Sequence, residues 1–278
     1  MSLLARKNKT SFAEDHWTGS EAAVFHEQTK HTRVELIKRT PRIRTYLSDL
    51  KCIQETGRNY KEYDIYRQIP LSDIQLQKQS LSEALKTRRS SYNFNGEALS
   101  FTDLSDLLGA AAGVTIKRPL SRQLPDEVLA SRSYPSGGGL YPCELYVVAV
   151  NVEGLAAGFY HYDNARHGLD PIADASGIAQ LATQCLATQY FPNIACALII
   201  TSVFERTVTK YGDRGYRLAL LEAGHLMQNL LLTATAQGLG NLCWGAYQDN
   251  EVASLLQTDV LAEPPVHMAF VGHCGAAV

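Results

Sequence analysis

No apolar run in these 278 residues approaches the roughly 20 that a membrane-crossing helix requires. A secretory signal is also missing, because Met1 to Ser11 is polar and basic with no apolar stretch. The six cysteines (Cys52, Cys143, Cys185, Cys196, Cys243 and Cys274) contain no CxxC pair and no regular framework. That excludes a disulfide scaffold and a structural zinc site. Cys196 lies within the apolar run Ala195-Cys196-Ala197-Leu198, which suits a buried reduced thiol in a cytoplasmic protein. The eight histidines have neither HxxxH nor HExxH spacing, so no metal is expected. The Gly-x-Ser-x-Gly elbow of serine hydrolases and the Gly-Lys-Ser/Thr of phosphate loops are both lacking. Lysine runs out early: after Lys117 the chain has only Lys210.

At 45% hydrophobic and 19% charged, the chain can bury a full globular core. The net charge of −2 hides an asymmetry. The first 90 residues hold 17 Lys and Arg against 11 Asp and Glu, and the remainder hold 9 against 17. The basic residues alternate with acidic ones and the pI is about 6.4, which disfavours nucleic acid.

Residues 1–20 read as frayed, and 21–90 as charged helix broken at Pro41 and Pro70. A short helix is expected over Leu81 to Arg88 and another from Phe101, with Thr102 as its N-cap. Ala110 to Thr115 is a small-residue segment. Leu145 to Val150 reads as a buried strand, Phe159–Tyr162 with Leu169–Ile172 as a hairpin, and Ala195 to Phe204 as a second buried strand. Ile178 to Ala187 is helical, Arg217 to Gln237 a long helix apolar almost all round, and Val266 to Val271 a last strand. This order lacks a steady β-α-β alternation, which gives an α+β class. The expected division is a helical extension over 1–80 and a main domain over 81–278. On the long helix, Glu222 and His225 read as hydrogen-bonded core residues.

Two segments remain unexplained by folding alone. Gly137-Gly138-Gly139 sits between Pro135 and Pro142 and leads into a strand, the reverse of a nucleotide phosphate loop. It is either a plain tight turn or a place where backbone meets something flat and bulky. Arg88-Arg89-Ser90, at the end of a short helix, suits a phosphate held by charge-assisted bonds. A flat ring with one phosphate describes a flavin mononucleotide (FMN). The pair Lys210-Tyr211 precedes the long helix and is either a solvated turn or two proton-moving side chains.

Arg88-Arg89-Ser90, the segment Pro135 to Pro142, Gln228-Asn229-Leu230-Leu231 and Gly238-Leu239-Gly240 through Trp244-Gly245-Ala246 resemble, in that order, the FMN-dependent nitroreductase superfamily. Tyr134 to Pro142 and Lys210-Tyr211-x-x-Arg214-Gly215-Tyr216-Arg217 resemble its SagB-type azoline dehydrogenases, the oxidase subunits of thiazole/oxazole-modified peptide synthetases. The likeness begins near Phe25-His26-Glu27. It implies a nitroreductase-like central mixed sheet flanked by helices, and a homodimer with two FMN sites built from both chains. Arg88, Ser90 and Arg132 would hold the phosphate. Ser136, Gly137 and Gly138 would approach the ring, with Gly245 and Ala246 near it from the other side. Lys210 and Tyr211 carry over as the catalytic pair, taking a proton from a peptide thiazoline or oxazoline while hydride leaves for the flavin. Oxygen is the implied acceptor, and an azoline-containing precursor peptide and cyclodehydratase subunits are the implied partners. Tyr92 stands where common nitroreductases often carry a basic residue, and their C-terminal basic pair is missing. The competing readings are an NAD(P)H-dependent nitro or quinone reductase and a non-catalytic peptide-binding subunit.

Overall fold

The computed structural model describes residues 20–30, 33–57, 60–61, 63–75, 80–119 and 128–275. The expected frayed start, residues 1–19, lies outside these. Three helices come first: α1 (Glu21–Gln28), α2 (Arg33–Ser48) and α3 (Leu50–Gly57). They are followed by β1 (Ile69–Pro70), α4 (Leu81–Thr87), α5 (Phe101–Ala112), and the pair β2 (Val114–Pro119) and β3 (Val128–Arg132). Next come β4 (Cys143–Ala149), β5 (Gly158–Asp163), β6 (Gly168–Asp174), α6 (Ile178–Gln184) and β7 (Cys196–Ser202). The chain ends through α7 (Glu205–Tyr211), α8 (Arg214–Ala236), β8 (Gly240–Trp244), α9 (Asp249–Leu255) and β9 (Pro265–Gly272).

The main sheet has seven strands in the order β1-β6-β5-β4-β7-β9-β8. The α+β class and the long core helix are as expected. Every pairing in the sheet is antiparallel, so the sheet itself is not mixed. Its central strands explain their unbroken apolar runs. Leu145, Val147 and Ala149 of β4, with Leu198 and Ile200 of β7, join the core under α5 and α8. The alternate residues Tyr146, Val148, Ala197 and Ile199 join a second core with Leu181, Val252 and Leu256 from α6 and α9. Side chains alternate across a strand, so a sheet covered on both faces must be apolar on both.

Helix α8 runs ~34 Å at 1.5 Å per residue and buries Ala219, Ala223, Leu226, Met227, Leu230 and Ala234. It leaves Tyr216, Leu220 and Leu221 exposed.

Three local expectations are corrected. Ser100, not Thr102, caps α5, its hydroxyl accepting from the Asp103 N–H at 3.0 Å. Helix α2 continues through Pro41, which lies on the exposed side. His225 is exposed rather than a core residue. Among the described residues no helix is long and apolar enough to cross a membrane.

Candidate functional site

The glycine loop is held from three sides. Tyr141, just beyond it, takes φ 42°, a left-handed conformation that costs a non-glycine residue on the order of 1–3 kcal/mol. Four contacts enforce it. Its N–H donates to Ser136 Oγ at 2.8 Å, its hydroxyl accepts from the Arg132 N–H at 2.9 Å, and its carbonyl accepts from Arg206 Nη1 at 2.9 Å. Its ring stands edge-on to Tyr134 at 5.6 Å. Arg206 is itself fixed on buried Glu144 at 2.5 Å. Burial alone would raise the Glu144 pKa, but Arg206 and His161 hold it at about 2.

Inside the loop, Gly137 packs on Leu218 of α8, and Gly138 takes φ 72°. A Cβ at Gly138 would overlap Tyr211 Oη and lie 2.8 Å from Lys210 Nζ. The loop and the Lys-Tyr pair, some 70 residues apart in sequence, are therefore in direct contact. Lys210 and Tyr211 form the last turn of α7, which Gly212 ends at φ 60°. Gly215 starts α8 against the α7 backbone, where a Cβ would sit 2.7 Å from Val208 N. That close approach is why this position of the motif is glycine.

Lys210 is half-buried, and burial lowers its pKa. Among the described residues no carboxylate pairs with it. Burial pushes the Tyr211 hydroxyl up, with Tyr46 adding to the effect. At neutral pH the pair is thus a neutral phenol beside an amine that gives up its proton more readily than a surface lysine.

A second group of residues lies along β8. Arg88 caps α4 and approaches Cys243, whose thiol burial raises and Arg88 opposes. Ser90 is exposed and bridges to Asn241 of β8, and the Ser91 N–H donates to Asn241 O at 2.8 Å. Arg89 turns back onto Lys86 O and Arg88 O, so it caps the helix. No carboxylate among the described residues pairs with Arg88. Gly245 and Ala246 follow β8 and are exposed, with open space beside Gly245. A depression of about 400 Å³ there is lined by Cys243, Trp244, Tyr247 and His267 among others.

The two groups share α8 as their floor, and no hydrogen bond or ring contact among the described residues joins them directly. Their chemistry fits the expected group: an unpaired guanidinium beside an exposed hydroxyl for a phosphate, and open glycine backbone at Gly139 and Gly245 for a flat ring.

Arg132 does not fit that role. It is 6% exposed, donates to Tyr134 Oη at 2.9 Å and Cys143 O at 3.3 Å, and lies 4.7 Å over the Tyr141 ring. Its charge is spent inside the loop's support and does not reach a phosphate.

Glu222 is buried on α8 as expected, with neither carboxylate oxygen in a hydrogen bond of good geometry, and with the Ser136 hydroxyl and the Cys143 N–H close by. Burial raises its pKa to about 7, against the opposing influence of the nearby Ser136 hydroxyl and Arg132.

Two residues at this corner carry no mark in the sequence. Tyr46 of α2 is 7% exposed, and its ring lies 4.9 Å from Lys210 Nζ. Arg42 donates to Thr209 O and Val208 O, both at 3.0 Å.

Comparison with known proteins agrees with this arrangement. The nitroreductase family model matches residues 85–273. A Methanocaldococcus jannaschii protein named as a nitroreductase is 36% identical over 205 residues, covering 74% of this chain and 96% of that protein. The microcin B17-processing protein McbC of Escherichia coli is 32% identical over 197 residues, covering 66% and 70%. Among solved structures, one from Anabaena variabilis named as a nitroreductase superposes with TM-score 0.70 at 27% identity. It covers 90% of this chain, which spans only 45% of its length. The E. coli microcin synthetase McbBCD complex with truncated pro-MccB17 bound gives TM-score 0.58 at 25% identity, covering 89% and 99%.

Proposed function

The chain belongs to the nitroreductase family, and on that premise we propose that it is an FMN-dependent azoline dehydrogenase that processes a ribosomal peptide precursor. The observation that carries this reading is the convergence of Lys210 Nζ and Tyr211 Oη on Gly138 of the glycine loop. A reductase that only relays electrons from a nicotinamide needs no base there. A dehydrogenase that makes an aromatic azole must first remove a proton from carbon.

Arg88 and Ser90 would hold the phosphate, and Gly139 and Gly245, with Ala246 beside the latter, leave backbone open to the ring. FMN, when bound, supplies the two-electron acceptor, and oxygen regenerates it. Lys210, whose pKa burial lowers, would take the proton from the α-carbon of a thiazoline or oxazoline. Tyr211 stays protonated and orients the ring by its hydroxyl. Gly138 lets the substrate backbone approach both groups without a side chain between them. Such proton transfer contributes about 10²–10⁴-fold.

Two partners follow from the same reading. The exposed Tyr216, Leu220 and Leu221 on α8 support a homodimer. The likeness to McbC and to the McbBCD complex supports a precursor peptide and cyclodehydratase subunits.

The test is a spectrum of the purified protein, then aerobic incubation with an azoline-bearing peptide under mass spectrometry. A flavin spectrum with a loss of about two mass units per ring, one hydrogen leaving as a proton to the base and one as hydride to the flavin, is the expected result. A yellow protein inert toward azolines but bleached by NAD(P)H would assign the reductase instead. A colourless protein that FMN cannot reconstitute would leave a peptide-binding subunit.

A further inference from the structure

The Lys-Tyr motif does more than carry two reactive groups. Nearly every side chain in it is matched to one of the first two helices. Arg214 Nη1 donates to Thr29 O at 2.9 Å and Arg217 Nη1 to Thr29 Oγ1 at 3.3 Å. The Tyr216 ring stands edge-on to Phe25 at 5.3 Å. Two carbonyls at the end of α7, on Val208 and Thr209, accept from Arg42 of α2. Lys210 itself lies between two rings, 4.9 Å from that of Tyr46 and 5.2 Å from that of Tyr211. The motif is a seat for α1 and α2, and Tyr46 is the part of α2 that reaches the reactive amine.

We infer that Tyr46 is a positioning residue for Lys210, closing the amine off from water and fixing it against Gly138. It acts through the lysine. A flexible four-carbon side chain at the end of a short helix would otherwise sweep through solvent. The other ionisable groups around this corner leave Lys210 without a counter-ion. Tyr211 is a neutral phenol, Arg42 is engaged on α7, and Asp49 accepts from the N–H groups of Lys51 and Cys52 at the start of α3. A cavity of about 270 Å³ lies beside them, lined by Arg42, Thr45, Tyr46, Asp49, Cys52 and Thr209. With the ring in place, water in that cavity is kept from the ammonium.

Two effects of the ring oppose one another. Its π-face favours the charged ammonium, worth about 0.5–1 kcal/mol when exposed. Its bulk excludes water, which disfavours the charge. Burial is the cause that sets the direction at Lys210, so exclusion wins.

The inference rests on Lys210 being the base of the proposed reaction, and its test is chosen to be read without turnover. The full chain is reductively methylated with ¹³C-formaldehyde and its lysine signals are titrated by NMR, with the Lys210 signal identified by its loss in Lys210→Arg. Lys210 should titrate below the other lysines. In Tyr46→Ala it should move up toward them, and in Tyr46→Phe it should stay low. Arg42→Ala, which frees α2 from α7, should move it the same way and serves if Tyr46→Ala does not fold. A Lys210 titration that stays put or falls in these two variants overturns the assignment. Turnover is then measured separately, with Tyr46→Ala expected to lose about tenfold at neutral pH and recover as pH rises. A raised titration in a protein that oxidises no azoline would remove the proposed reaction and leave Tyr46 as assigned. Azoline oxidation with an unmoved titration would remove only the Tyr46 role.

Discussion

Lys61 and Lys210 are both drawn partly out of water, and they titrate in opposite directions. Lys61 donates to Glu263 and to the Tyr146 hydroxyl, each at 2.6 Å. Burial alone would lower its pKa, but Glu263 outweighs that and raises it. Lys210 has the burial without the carboxylate, and its pKa falls. One lysine is a fixed charge that fastens the segment before β1 to the sheet. The other is the base of the proposed reaction. Burial of the amine is common to both, so the counter-charge is what decides between anchor and reagent.

The comparison can be broken first at Lys210. Lys210→Ala should lower azoline turnover by about 10²–10⁴-fold with flavin content and melting temperature unchanged. Retained activity in a flavin-loaded variant would put the base elsewhere. Glu222 extends the same rule to an acid. With no hydrogen bond of good geometry to either carboxylate oxygen, it should hold its proton up to about pH 7 in the folded state. Its folded pKa is raised, so the folded state is favoured below the unfolded value near 4.5. That advantage fades as pH climbs toward 7, a change of about 3 kcal/mol. Denaturant titrations across that window should show the decline, and Glu222→Gln should flatten it. A wild-type curve that is already flat would mean that the carboxylate finds a partner. The smallest effect is expected at the anchor. Lys61→Met leaves Glu263 only its Tyr146 and Thr201 donors. It should cost about 2 kcal/mol of stability while leaving the Lys210 titration where it was. A change in that titration would show that the two lysines are coupled.

Much of the scaffold was legible because its signals are local. Unbroken apolar runs marked β4 and β7, turn residues marked the β5–β6 hairpin, a short apolar run marked β9, and a long apolar stretch marked α8. The glycine loop and the Lys-Tyr pair were legible as unusual residues, and their contact followed once resemblance joined them. What escaped was tertiary. Helix α7 is only about two turns of mostly polar residues, and β2 and β3 pair away from the main sheet, with β2 largely exposed. Arg132 was placed at the phosphate by resemblance alone, yet Tyr134, Tyr141 and the Cys143 carbonyl engage its guanidinium within the loop's support. Tyr46 could not be found from spacing, because nothing in a charged helix marks one tyrosine as the cover of a lysine far along the chain.

The bond from Arg42 to Thr209 spans 167 residues. During synthesis the amino-terminal end leaves the ribosome first, at about 5–20 residues per second. Helices α1 and α2 must therefore wait, unseated, until the segment through Arg217 has emerged. A nascent chain cut short before that point has α2 without its seat and no reactive amine at all. The half-buried amine and its cover come into being together, and only once both ends of that long span have emerged.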